Sequence, residues 1–276
     1  MLSKTLIIAG MHRSGTSLIT NWLHRCGLQV GETLVAASAS NQEGHFEDTE
    51  FLKIHEEILA DNGLTITGLV HDRQLNISEY QVEKLKAVLK IKEQRFSQWG
   101  WKEPRTCLFL DTYRELLPEA KYLVIVRDYL SVVNSLLKRG WEDRDQNYNK
   151  RSFFTRLKWN LFRKNRNRKR FYRDNAEDFL MVWIEYNQHI LDALQTLPPE
   201  DYLVVNYTML QGTDRRVFMF LKSSWGFDLY YTPFSKIYKQ SLISKQADLS
   251  PFIRDESLIT RAKEIENDFQ KYITIA

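Results

Sequence analysis

Gly10-Met11-His12-Arg13-Ser14-Gly15-Thr16-Ser17 stands between a short apolar run, Leu6-Ile7-Ile8-Ala9, and the helical recurrence of Leu18, Trp22 and Leu23. The stretch reads as strand, tight glycine loop, helix. Such a loop turns backbone N–H groups toward one point, and the new helix aims the positive end of its dipole at the same place, so the ligand it predicts is an anion. In the nucleoside-triphosphate version, glycine and four residues precede Gly-Lys-Ser/Thr, with the lysine on the β and γ phosphates and the hydroxyl on Mg²⁺. Here Thr16 takes the lysine's place and the cation is Arg13, two residues before Gly15. A cation on the rim of the loop suits a donor with a single phosphate and a transferable group.

The 276 residues are 43% hydrophobic and 13% aromatic, which is the composition of a chain with a sizeable core and excludes a disordered one. No linker, repeat or low-complexity tract interrupts it, so one domain over 1–276 is expected. The opening apolar run is too short for a signal peptide, and no segment reaches the ~18 uninterrupted apolar residues of a membrane span. A soluble, cytoplasmic protein is expected. Cys26 and Cys107, in unrelated segments, then read as free buried thiols.

Further along, Phe51, Ile54, Ile58 and Leu59 mark an amphipathic helix with Glu47 and Asp48 in its first turn and Asn62-Gly63 at its end. A second runs from about 78 to 97, and a third passes through Leu110 and Leu117. Trp99 to Pro104 reads as a short strand and turn, because proline cannot donate to a central ladder. Lys121 to Val126 and Tyr202 to Val205 are buried strands, each bordered by helical patterns. Strands alternating with helices predict an α/β fold of three layers, a P-loop-like architecture with a central, mostly parallel sheet covered by helices. Ligands of such sheets bind beyond the C-terminal strand ends, where the loop at Gly10 and the turns at Arg127 and Asn206 all emerge.

These pieces in this order resemble the sulfotransferase family that uses 3′-phosphoadenosine 5′-phosphosulfate (PAPS), with bacterial members nearest. In that family the first loop binds the 5′ phosphosulfate, which the resemblance assigns to Arg13, Ser14, Gly15, Thr16 and Ser17. A strand ending in arginine, with a serine eight residues on, grips the 3′ phosphate, and Arg127 with Ser135 matches it. Tyr207 is similar to the family's aromatic beside the adenine. Trp101-Lys102-Glu103-Pro104 resembles the Lys-Asp/Thr-Pro segment of tyrosylprotein and heparan sulfate sulfotransferases, which implies that Lys102 contacts the transferring sulfuryl group. Asn41 to Asp48 resembles the acidic segment that supplies the catalytic base. The likeness covers Thr5 to Arg139 well and the rest poorly.

What the resemblance implies is sulfuryl transfer from PAPS to a hydroxyl, the acceptor being a small molecule or glycan, with a carbohydrate or glycolipid favoured. Arg13 would hold the bridging oxygen and Lys102 the sulfuryl oxygens. Glu47, Glu43 and His45 are the candidate bases, and Glu32 is an outsider. No metal is expected, since neither histidines nor cysteines cluster at ligand spacing. The rival functions are a P-loop kinase or NTPase, disfavoured by Thr16, and a non-catalytic nucleotide-binding protein, which would not need Arg13, Lys102 and the acidic segment together.

Residues 150 to 173 hold eleven Lys and Arg and no acid, while the whole chain is only +4, so the remainder carries about −7. Phe153, Phe154, Leu157, Leu161 and Phe162 interleave with these charges. The segment reads as a basic helical insertion around 146–175. A solvated connector with a packed apolar stripe, a cover for an acidic glycan or other substrate, and a helix on an anionic membrane surface all fit it. Nothing else in the chain points to nucleic acid.

Overall fold

A computed structural model describes residues 3–36, 44–71, 75–238 and 247–275. The run after the first lysine forms β1 (Lys4–Ala9), and β2 (Gln98–Trp101), β3 (Lys121–Val126), β4 (Tyr202–Asn206) and β5 (Ile273–Ile275) join it in one sheet. Its order is β2-β1-β3-β4-β5, and every neighbouring pair is parallel. Parallel neighbours need crossovers of a dozen or more residues, and helices supply them. Between β1 and β2 lie α1 (Thr16–Arg25), α2 (Thr49–Asp61) and α3 (Glu79–Arg95). A 3-10 turn at Pro104–Phe109 and α4 (Leu110–Leu116) lead to β3, and α5 (Tyr129–Asn149), α6 (Phe153–Lys158) and α7 (Lys164–Thr196) lead to β4. Beyond β4 come α8 (Leu210–Met219) and α9 (Glu256–Phe269).

Side chains alternate across each strand, so the sheet feeds two cores. Ile7, Ala9, Tyr122, Val124 and Val204 pack with Phe51 of α2, Leu85 of α3, Val133 of α5, Trp183 of α7 and Ile265 of α9. Leu6, Ile8, Leu123, Ile125 and Val205 pack on the opposite face with Trp22 of α1 and Val217 of α8. The result is the expected three-layer α/β fold. Under β2, the Phe51 ring stacks on Trp101 at 4.3 Å and Trp101 on Trp99 at 5.4 Å.

Helix ends follow local chemistry. The capping box of Ser78 and Gln81 opens α3. At α2 the expectation needs correction: Asp48 is the N-cap, taking a hydrogen bond from Glu50 N at 2.9 Å, and Glu47 lies ahead of the helix rather than in its first turn. An aspartate gains more by satisfying an orphan N–H than by lying inside the turn. The basic segment is helical, with a π turn at Trp159–Arg163 between α6 and α7. Trp159 is buried and stacks on Tyr148 at 3.8 Å, but Phe153, Phe154, Leu157, Leu161 and Phe162 are exposed, so the connector with a packed stripe is not what forms.

Gly100 pairs with Leu6 across the β2–β1 ladder, and a Cβ there would meet the Leu6 carbonyl oxygen at 2.4 Å. Gly212, within α8, has nothing within 4 Å of such a Cβ. Gly100→Ala is therefore expected to destabilise by about 1–3 kcal/mol and Gly212→Ala to stabilise by about 0.5–1 kcal/mol, as read from urea unfolding.

Candidate active site

Because β1, β3 and β4 are adjacent and parallel, the segments leaving their C-terminal ends meet. Gly15, at φ 91°, lets the first loop lie against the third, since a Cβ would meet the Tyr207 ring at 2.2 Å. From the β3 end, Arg127 donates from Nη1 to the Arg13 carbonyl oxygen at 3.0 Å, and its guanidinium lies 4.9 Å from the Tyr207 ring centre. Arg13, itself at a left-handed φ of 68°, donates from Nε to Ser135 Oγ at 2.9 Å. Ser135 sits on α5, whose first turn is fixed by Asp128 accepting from Ser131 N at 2.8 Å. Arg13, Arg127, Ser135 and Tyr207 thus form one cluster.

That cluster is short of negative charge. Burial, and after it the charges of Arg139 and Arg127, pulls the Arg13 pKa below its ordinary value. A guanidinium remains charged even so, and crowded like charges at reduced dielectric favour an incoming anion. The Nε of Arg127 is buried with no hydrogen-bond partner among the described residues. A donor so placed fits a phosphate, which offers several acceptor oxygens.

Lys102 leaves the end of β2 and is buried, with Nζ 2.8 Å from Glu47 Oε1 and 3.1 Å from Ser17 Oγ on α1. Burial lowers its pKa, and Glu47 opposes the shift. Glu47 is held by its backbone: its carbonyl accepts from Val35 N at 2.9 Å, Thr49 N donates to Thr33 O at 3.0 Å, and Leu34 and Asp48 form an antiparallel bridge. Its carboxylate, the Lys102 ammonium and the Ser17 hydroxyl make a second cluster beside the first loop. His45 feels both, its pKa lowered by burial, raised by Glu47 and lowered again by Lys102, Arg139 and Arg13. Glu32 instead faces α3, with Lys92 at 3.5 Å and Arg95 also paired to it. Glu43 lies outside the described residues. Ser14 and Thr16 are buried in the loop, Ser14 N donating to Met11 O at 3.1 Å.

The chain neighbour of Lys102 is part of a buried network. Glu103 Oε2 is 2.6 Å from His55 Nδ1 on α2, His55 Nε2 is 2.7 Å from Tyr113 OH on α4, and Arg105 Nη1 pairs with Glu103 Oε1. Arg105 Nη2 also donates to Ile66 O at 2.6 Å. Burial pushes the Glu103 pKa up, but the His55 hydrogen bond and the His55 and Arg105 charges outweigh it and hold the carboxyl at about 2.

Residues the sequence reading passed over also belong here. Arg139 charges the surroundings of Arg13 and His45, and its position four residues after Ser135, on one helix face, was the available signal. His12, inside the quoted loop, has its pKa lowered to about 3 by burial and then Arg105, and its Nε2 is buried with no partner among the described residues. Among those residues no group of His, Cys, Asp or Glu is arranged to hold a metal, and no helix is long and apolar enough to cross a membrane. Cys26 and Cys107 are free and buried, with Gly10 N donating to Cys107 Sγ at 3.1 Å.

The profile of the sulfotransferase family matches residues 5–225. The chain belongs to that family. No curated protein sequence matches it significantly. Solved sulfotransferases share its fold: the sulfotransferase domain from the curacin biosynthetic pathway has 16% identity and a TM-score of 0.50, covering 98% of both chains. A sulfotransferase from Alicyclobacillus acidocaldarius has 13% identity and a TM-score of 0.51, over 99% of this chain and 96% of that one. One from Mycobacterium avium has 12% identity and a TM-score of 0.52, over 99% of this chain and 76% of that one. Sulfuryl transfer is therefore the chemistry that the two clusters have to be read against.

Removing the carboxylate charge behind Lys102 should cost stability. Glu103→Gln takes from buried Arg105 its nearest carboxylate, and the expected loss is about 3–5 kcal/mol at neutral pH. A carboxyl held at about 2 rather than 4.5 lends stability above pH 4.5 that is withdrawn as the pH falls toward 2. The stability difference between parent and variant should therefore shrink across that window when unfolding is followed by circular dichroism.

Proposed function

We propose that the chain transfers the sulfuryl group of PAPS to a hydroxyl of a carbohydrate or glycolipid, with residues 1–276 acting as one catalytic unit into which the basic helical segment around 146–175 is inserted. The observation that carries the proposal is the Lys102–Glu47 pair, 2.8 Å apart and tied to Ser17 beside the phosphate-type loop. It sets a carboxylate and a cation side by side where an acceptor oxygen would approach. Thr16, in the place of the triphosphate loop's lysine, argues against a kinase.

In this reading the loop from Arg13 to Ser17 holds the 5′ phosphosulfate, Arg127 and Ser135 the 3′ phosphate, and Tyr207 borders the adenine. The acceptor oxygen forms a bond to sulfur as the bond from sulfur to the bridging phosphate oxygen breaks, and the electron pair leaves with adenosine 3′,5′-bisphosphate. Glu47 takes the hydroxyl proton. Lys102 stabilises charge on the sulfuryl oxygens and Arg13 on the bridging oxygen, the latter by charge and hydrogen bonds alone, since arginine does not give up a proton. The rigid backbone of Glu47 favours it over His45, whose protonated form is disfavoured by burial. The carbohydrate class rests on the likeness of the Lys102 segment to heparan sulfate sulfotransferases.

Adenosine 3′,5′-bisphosphate should raise the melting temperature, and ATP with Mg²⁺ should not; stabilisation by ATP alone would sink the reading. Arg127→Ala should abolish the bisphosphate shift. Glu47→Gln should keep that shift while lowering kcat roughly 10²- to 10⁴-fold, and a near-normal kcat would remove Glu47 as the base.

A further inference from the structure

The connection between α5 and α7 carries an exposed apolar stripe that no described residue covers. Phe153, Phe154, Leu157, Leu161 and Phe162 are 61%, 80%, 44%, 63% and 77% exposed. On a helix advancing about 100° per residue, the first four fall within one sector and Trp159 falls opposite. Trp159 is indeed the buried member, stacked on Tyr148 and with Nε1 donating to Asp145 at 2.7 Å, so it roots the segment on α5. The π turn at Trp159–Arg163 takes more residues per turn than an α-helix, which keeps Leu161 and Phe162 close to the sector of Phe153 and Leu157. Lys164 fixes the far side of the turn through Asp145 at 2.7 Å.

Cations flank this stripe throughout. Arg156, Lys158, Arg163, Arg166, Arg168, Lys169 and Arg170 are exposed, and 150–173 contains no acid. A polyanion in water, glycan or nucleic acid, would call for the cations but leave Leu157 and Leu161 without use. A second copy meeting the stripe symmetrically would bring eleven positive charges against eleven. Apolar side chains standing together among guanidinium and ammonium groups match the boundary of a bilayer with anionic headgroups, where acyl chains receive the rings and phosphates the cations.

We infer that residues 153–170 form an interfacial anchor that lays the protein on an anionic lipid surface, with the phenylalanine and leucine side chains below the headgroups and the arginines and lysines among them. Ser135 lies on the same α5 as Asp145, about 15 Å along the helix. The anchored protein therefore holds its Arg13–Ser135 cluster near the membrane. The inference does not depend on the donor or on catalysis.

The test is co-sedimentation of the full chain with vesicles of phosphatidylcholine alone or mixed with phosphatidylserine. The parent protein should pellet with the mixed vesicles, scarcely with phosphatidylcholine alone, and less as salt rises. Phe154→Ser with Phe162→Ser, and separately Arg166→Gln with Arg168→Gln and Lys169→Gln, should each lower partitioning at least about tenfold. These side chains are exposed, so both variants should keep the parent's melting temperature. Failure of the parent to bind mixed vesicles, or full binding by the phenylalanine variant, overturns the anchor. A protein that ignores vesicles but loses a dimer in the phenylalanine variant assigns the stripe to a second copy and overturns it equally.

Discussion

The carboxylate of Glu103 decides how the end of β2 is held. It is wholly buried, and it stays ionised because His55 and Arg105 share its two oxygens. Through His55 it reaches α2 and Tyr113 of α4, and through Arg105 it reaches the backbone at Ile66. A buried ion of this kind adds little net stability over a well-packed apolar substitute, but it tolerates no loss of a partner. What it secures is geometry: Lys102 is bonded to Glu103 in the chain, so the direction of Lys102 follows from a network fixed on three sides.

The sheet supplies the other half of the arrangement. Neighbouring strand ends come from residues far apart in the chain, β1 pairing with β3 at Leu6 and Lys121 and β3 with β4 at Tyr122 and Tyr202, and this parallel register brings Arg13, Arg127 and Tyr207 into contact. A cation-rich pocket of this type is costly when empty, because Arg13 and Arg127 repel at short range. Backbone acceptors and the Tyr207 ring offset part of that repulsion, and an anion removes it. Fold and ligand chemistry are therefore coupled through the same guanidinium groups.

Much of this was legible in the residues. β3 covers Lys121–Val126 as read, its apolar run Tyr122 to Val126 being the part buried, since a parallel strand covered on both faces is apolar where it is covered. The glycine loop was visible in its spacing, and Arg127 with Ser135 only through the family resemblance; the structure sets both of these residues against Arg13. Glu103 with His55 was not, because a pairing across 48 residues leaves no local pattern. The start of α2 was read too early, with Glu47 and Asp48 both in its first turn, since the two look alike in a sequence and only the backbone decides which one caps. β5 was missed for want of length: three residues carry no periodicity. The stripe at Phe153 was legible as a helix, but a packed connector and an exposed surface fitted it equally, because the sequence does not say whether an apolar face is covered.

The bridge between Leu34 and Asp48 reaches beyond holding a backbone in place. Residues 33–35 follow α1, and they are hydrogen-bonded to the chain at Glu47 and Thr49. That stretch and the backbone that carries Glu47 are thus one mechanical body. Sequence drift that reshapes residues 33–35 also displaces Glu47 relative to Lys102, so a change in that stretch and a re-seating of the ion pair are one evolutionary move.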